Sequence, residues 1–392
     1  MKLLKIATVE DPMGRVGDTK TCLTPRRKLS VCALVPYPPG ITPSQRYRIE
    51  QWQPILASDG IDVELWPFLE EEDLEVLYSP RRWPDKARMV LRATARRLGA
   101  VTRLERFDVV LIHRAACLAG PALVERLIAR RKPVVFDFDD AIYLLDTTAE
   151  NRIFGWLKFP GKTAALCRMS RHVVTGNDHL AGYARRYNGN VTVVPSSIDT
   201  ERYAPIRKAR ETGRVVIGWT GSATSQAHLE AFAPVLRRIV ARHRVEIHVV
   251  SARPPDLGGV SVTWKRWTAA REVEDLREFD IGIMPLPDDE WTRGKSAFKA
   301  LQCMGMGVPV VCSAVGASLE LIRHGENGFL VSTPGEWDER LGHLIADASL
   351  RERVGMAGRR TVEERYSMQG SALSLGQALR AAVVAGGREV AA

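Results

Sequence analysis

From residue 29 onward, short runs rich in Val and Ile alternate with longer amphipathic stretches, and no other feature of the 392 residues constrains the fold as tightly. Segments 29–37, 61–66, 107–112, 133–138, 172–175 and 191–194 read as one series of strands. Segments 214–219, 245–250, 260–264, 279–285, 309–312 and 328–331 read as a second. Between them, 44–58, 121–131, 227–242 and 336–347 carry helical periodicity. Strands that are apolar throughout are covered on both faces, which is the signature of a parallel sheet beneath crossover helices.

The alternation breaks once. Residues 195–213, PSSIDTERYAPIRKARETG, are polar, carry proline and contain no strand. The expected division is an N-terminal extension over 1–27, a first Rossmann-like domain over 28–195, a linker over 196–213, a second domain over 214–369 and a terminal helix over 370–392. Two doubly wound α/β domains facing one another leave a cleft at the carboxyl ends of both sheets, where such folds bind ligands.

Composition removes whole classes. At 45% hydrophobic and 26% charged residues, disorder and fibrous repeats are excluded. The six cysteines are scattered without a C-x-x-C pair, which suits a reducing compartment. The charge-free runs, of which 300–319 is the longest, are interrupted by Gly, Pro, Ser or Gln, and none reads as a membrane span. No apolar stretch near the N-terminus has the length of a signal-peptide core. A soluble cytoplasmic protein is expected. Lys plus Arg exceeds Asp plus Glu by 56 to 46, and the resulting charge of +10 calls for an anionic partner.

The phosphate-binding motifs narrow the choice. There is no G-x-G-x-x-G, and Gly161-Lys162-Thr163 and Gly294-Lys295-Ser296 each lack the first glycine of a P-loop at the required spacing. The segment 215–222, VVIGWTGS, runs a strand into a glycine loop. Thr224 or Ser225 can cap the helix beyond it, and Gly221 and Ser222 would then sit beside exposed amides able to hold a phosphate. Downstream, Lys295 and Lys299 are four apart, which places them on one face of a helix near its N-terminus. They form either a diphosphate cradle or a solvated lysine pair.

Asp137, Asp139 and Asp140 follow one strand, and Asp288, Asp289 and Glu290 follow another; each group reads as metal ligands, helix caps or a polar rim. His113 ends an apolar strand where its ring can enter the cleft. No G-x-S-x-G elbow is present. Zinc-finger and RNP signatures are also absent, so a nucleic-acid partner is not expected. A basic stretch over 81–103, interleaved with Trp83, Met89, Leu91 and Leu98, fits either an anionic membrane surface or a solvated face.

The C-terminal half carries a family resemblance. Segments 307–311 (GVPVV), 316–322 (GASLELI) and 327–331 (NGFLV), and the ending AGRR…YS within 290–367, resemble the family-4 (group 1) glycosyltransferases. Segments 136–142 (FDFDDAI), 175–177 (TGN) and 193–199 (VVPSSID) are similar to that family's N-terminal and hinge segments. The resemblance implies a GT-B architecture: an acceptor site in the first domain, a nucleotide-sugar donor site in the second and a C-terminal helix crossing back. It implies a retaining, metal-independent sugar transfer in which the nucleotide-diphosphate sugar is substrate and no cofactor is needed.

Residue by residue, the resemblance puts Lys295 and Lys299 on the donor diphosphate, with Gly221, Ser222 and Ser296 beside it. The family's Glu-x7-Glu falls on Gly294 and Gln302, so both acids are missing. Gln302 retains the ability to bond a ribose hydroxyl, and Glu290 or Asp289 is left to hold the sugar. His113 falls beside the donor sugar. Gly40, Ser44, Arg46, Asp139 and Asp140 fall on the acceptor side. The lost acids keep two alternatives open, a catalytically inactive nucleotide-sugar or glycan-binding protein and a GT-B epimerase. The partners implied are a nucleotide-sugar donor, an unidentified acceptor and an anionic membrane surface, with the protein peripheral on the inner face.

Overall fold

A computed structural model describes residues 27–79, 82–144, 159, 161–205 and 213–389. Residues 1–26 of the extension and 206–212 of the linker lie outside the described residues.

Twelve parallel strands form two six-stranded sheets. The first contains β1 Leu29–Val35, β2 Ile61–Pro67, β3 Val109–His113, β4 Val134–Phe138, β5 His172–Thr175 and β6 Val191–Val193, in the order β2-β1-β3-β4-β5-β6. The second contains β7 Val215–Gly221, β8 Val245–Ser251, β9 Thr263–Arg266, β10 Ile281–Met284, β11 Val310–Ser313 and β12 Phe329–Val331, in the order β12-β11-β10-β7-β8-β9. Every expected strand is present. The ninth starts three residues late.

Side-chain alternation explains the uninterrupted apolar runs. In β1, Leu29, Val31, Ala33 and Val35 belong to the core on one face of the sheet, while Cys32 and Leu34 belong to the core on the other. Period-two geometry sends successive residues to opposite faces, so both sets must be apolar when both faces are covered. The helix Met368–Glu389 covers the first of these faces. Its Ala372, Leu375, Ala378, Leu379 and Ala382 join the β1 core at helical spacing. This helix, which follows the second domain in the chain, therefore packs on the first.

Three helical expectations need correction. The stretch 44–58 is not one helix but Pro43–Arg48, a short 3-10 turn at Glu50–Trp52, and Gln53–Ser58. Pro54 lies in the first turn of the last piece, where its missing N–H costs nothing. The stretch 227–242 divides likewise into Ala223–Ala231 and Ala233–Arg242, with Pro234 opening the second. The first of these is capped at Ser222, one turn before the expected cap. Five cysteines, Cys32, Cys117, Cys167, Cys303 and Cys312, are buried and free. Among the described residues no helix is long and apolar enough to cross a membrane.

Candidate functional site

The carboxyl ends of β3 and β4 bring the first cluster together. Parallel register sets His113 beside Asp137. His113 Nδ1 lies 2.6 Å from Asp137 Oδ2, and His113 Nε2 lies 3.0 Å from Ser44 Oγ on the helix Pro43–Arg48. Arg48, fully buried on that helix, closes the other side of the carboxylate through Nε and Nη2 and donates Nη1 to the Val194 carbonyl at 2.7 Å. Burial alone would raise the Asp137 pKa, but Arg48 and then His113 outweigh it and hold the group below its ordinary value. An ionised carboxylate only accepts, so His113 Nδ1 donates to it, and the other ring nitrogen, Nε2, is left facing Ser44 Oγ.

Arg114 continues the cluster. Its φ of 61° is left-handed, a conformation costing a non-glycine residue on the order of 1–3 kcal/mol. The compensation is a fork: Nε and Nη2 donate to Asp139 Oδ1 at 2.9 and 2.8 Å, and Nη2 also donates to Asp140 Oδ2. Against burial, Arg114 pulls the Asp139 pKa down. Burial prevails at Asp140 and, with Asp139 adding to it, raises that pKa although Arg114 and Lys295 oppose it. The three aspartates are thus engaged by guanidinium ions. Among the described residues no group of three or more His, Cys, Asp or Glu is placed to hold a metal ion.

The second domain supplies the opposing wall. The helix Phe298–Gly305 starts at Phe298, with Ala297 left-handed before it at φ 51°. Lys295 therefore precedes the helix, and the expectation of two lysines on one helical face is corrected. The two side chains still converge. Lys299 Nζ lies 2.7 Å from Ser225 Oγ and 4.6 Å from the Trp219 ring centroid, while Lys295 Nζ lies 5.2 Å from the Trp291 ring. Burial and then repulsion from Lys295 lower the Lys299 pKa to about 7. Ser225, offered as a helix cap by the sequence, bonds the Ser222 carbonyl and receives this lysine instead. Gly221 is obligatory, because a Cβ there would lie 2.3 Å from Trp219 and 2.7 Å from Lys299 Nζ.

The remaining expected residues are placed as follows. Ser296 lies in the loop between Gly294 and Ala297. Glu290 pairs with His179 of the first domain at 3.2 Å, and Asp289 caps the short helix Glu290–Arg293. Gln302 is buried and donates to Tyr203 OH at 3.0 Å, inside a network that links Tyr47 and Tyr203 to Glu272. Gly40 donates its N–H to Glu50 at 2.8 Å. Arg46 turns away from His113 into a cavity of about 370 Å³ beside the linker, lined also by Tyr47, Glu50, Asp199 and Arg202. Of the near P-loops, Lys162 is spent on a buried pair with Glu125 at 2.8 Å.

Sequence reasoning put Arg48 only in the acceptor-side loop after the first strand and Trp219 only in the glycine loop; it passed over Arg114 and the linking role of Asp137. The register of two adjacent parallel strands, His113 opposite Asp137, was the available signal for the last.

Two facing parallel α/β domains with a returning C-terminal helix define the GT-B class, and known proteins agree. Residues 214–347 match the family described as glycosyl transferases group 1. A stretch of 71 residues is 31% identical to spore coat protein SA of Bacillus subtilis (strain 168), covering 17% of this chain and 19% of that protein. Another of 73 residues is 34% identical to the capsular polysaccharide biosynthesis glycosyltransferase CapM of Staphylococcus aureus, covering 18% and 19%. The matched stretches thus span 19% of either relative's length.

Among solved structures, sucrose-phosphate synthase from Thermosynechococcus elongatus superposes with a TM-score of 0.66 at 14% identity, over 91% of this chain and 100% of that one. A glycosyltransferase from Rickettsia africae gives 0.63 at 13% identity, over 90% and 98%. Anabaena HepE in complex with UDP and glucose gives 0.60 at 14% identity, over 90% and 100%. Residues 214–347 thus carry the match to the group 1 glycosyl transferases, and the chain as a whole has the GT-B fold.

Proposed function

We propose that this protein is a retaining glycosyltransferase that moves a sugar from a nucleotide-diphosphate sugar to an acceptor hydroxyl, without a metal ion. The observation that carries the proposal is the pair Lys295 and Lys299, held at the cleft with no carboxylate of the described residues in ion-pairing distance of either, opposite the His113 cluster. In such a transfer the bond from the anomeric carbon to the diphosphate oxygen breaks. A bond from that carbon to the acceptor oxygen forms on the same face, and the acceptor proton passes to the departing phosphate. Negative charge grows on the diphosphate, and two preorganised ammonium groups stabilise it where it develops. His113, fixed by Asp137, presents Nε2 to a sugar hydroxyl in place of Ser44.

A uridine nucleotide is the proposed donor class, because the HepE structures hold UDP and UDP-glucose. A glycan or lipid-linked acceptor on an anionic membrane surface is the proposed second substrate, approached from the side of Gly40, Ser44, Asp139 and Asp140. Gly294 supports a second reading, a nucleotide-sugar-binding protein without turnover, since no side chain fits there. A panel of nucleotide sugars, UDP-glucose first, separates the two. Release of nucleoside diphosphate that disappears in Lys299→Met supports the transferase. Binding without release from any donor supports the binder.

A further inference from the structure

Asn177 lies at the carboxyl end of β5 in the first domain and is fully buried, yet two of the three hydrogen bonds of its side chain belong to the second domain. Its Oδ1 accepts from Leu180 N at 2.9 Å and caps the helix Asp178–Arg185. Its Nδ2 donates to the carbonyls of Arg293 and Lys295 at 3.3 and 3.1 Å. The partners fix the amide's orientation, since an N–H needs an acceptor and carbonyls need donors.

The two carbonyls bracket Gly294, and that glycine is pressed against Ala141 of the first domain. A Cβ at 294 would lie 2.8 Å from Ala141 Cβ and 3.0 Å from Ala141 N. Aspartate, serine or threonine would cap the helix as well. An amide alone both caps it and offers two donors across the cleft.

We infer that Asn177 is a positioning residue that sets the backbone of the Lys295 loop only when the two domains are closed. Domain closure and the geometry of one of the two cations are then a single event. The inference rests on the proposed donor site for its ligand arm alone; its scattering arm is independent of that reading.

The test compares wild type, Asn177→Asp and Gly294→Ala by small-angle scattering, thermal melting and titration with UDP. Asn177→Asp keeps the helix cap but turns a carboxylate toward two carbonyls. It should melt as a folded protein, show a larger radius of gyration than wild type, and bind UDP roughly ten- to a hundredfold more weakly, as expected for two lost hydrogen bonds. Gly294→Ala should do the same by steric opposition, without touching the cap.

Wild-type scattering from both variants overturns the inference. So does an enlarged radius accompanied by unchanged UDP affinity, because the loop would then be set without Asn177. If wild type binds no UDP, the donor reading fails and scattering alone decides the latch, with a larger radius in both variants supporting it and equal radii overturning it.

Discussion

The ammonium of Lys299 rests 4.6 Å from the centre of the Trp219 ring, with Ser225 Oγ as its hydrogen-bond partner. A ring face and a hydroxyl attract a cation without neutralising it. Burial, and Lys295 after it, leave the free group with a pKa of about 7. The site is thus unsatisfied until an anion arrives. Lys299→Met keeps the stem packing on Trp219 and removes the charge. It should cut UDP affinity by about tenfold to a hundredfold, the worth of a charged hydrogen bond. The ligand-free protein should melt no lower than wild type at neutral pH. Wild-type affinity in this variant would return the lysine to a structural role.

The same depressed pKa fixes a pH dependence. Above pH 7 the free Lys299 is progressively neutral, whereas a bound diphosphate favours its protonated form. UDP binding at pH 8 should therefore take up close to one proton, and affinity should fall as pH rises from 7 to 9. Calorimetry in two buffers of different ionisation enthalpy reads the proton directly. The sign for folding follows from the same shift. Between pH 7 and the ordinary lysine value of 10.5 the unfolded chain binds a proton that the folded site has shed, so this group's contribution to stability rises with pH across that window. Affinity flat from pH 7 to 9, with no proton uptake, would exclude Lys299 from the anion site.

The central strands were legible because they are apolar on both faces, a pattern the β1 cores explain residue by residue, whereas the edge strand β2 alternates buried Ile61 and Val63 with exposed Asp62 and Glu64. The site was legible only in part. His113 and Lys299 could be placed because the first ends a strand and the second stands in the first turn of the helix Phe298–Gly305. Lys295 was misplaced onto that helix because nothing in the local sequence announces a left-handed Ala297, which tertiary packing imposes. Arg114 is a similar case, a strained backbone held by Asp139 and Asp140 from the next strand. The role of Asn177 depends on a domain more than a hundred residues away, and no periodicity carries that information.

The buried pair of Arg48 and Asp137 should behave as a unit. Both side chains are essentially inaccessible, at 0% and 1% exposure. Removing one partner of such a pair strands the other, at a cost of about 3–5 kcal/mol. Asp137→Ala and Arg48→Met should each destabilise by that order in urea unfolding, and the double variant should lose much less than their sum. Additive losses would show that the two side chains contribute independently. His113→Asn should cost less stability than Asp137→Ala, because Arg48 still pairs the carboxylate, while lowering turnover.

The proposed membrane attachment would fall on particular side chains of the helix Trp83–Gly99. Arg97 is buried and donates to the carbonyls of Ala116 and Trp66. Arg92 pairs with Asp73 at 2.6 Å and Arg96 with Glu70 at 2.7 Å. Much of the basic stretch is therefore already neutralised, and attraction to anionic lipid falls to groups such as the exposed Arg88. The outer face also carries Leu91 at 70% and Leu98 at 44% exposure. Burying a leucine is worth roughly 1.5–3 kcal/mol, against about 1 kcal/mol for a basic residue near such a surface. Co-sedimentation with anionic vesicles should thus be abolished in Leu91→Glu/Leu98→Glu, weakened by high salt and in Arg88→Ala, and nearly unchanged in Arg92→Ala. Equal binding of the leucine variant and wild type, or no binding of wild type to anionic vesicles, would remove the membrane from the list of partners.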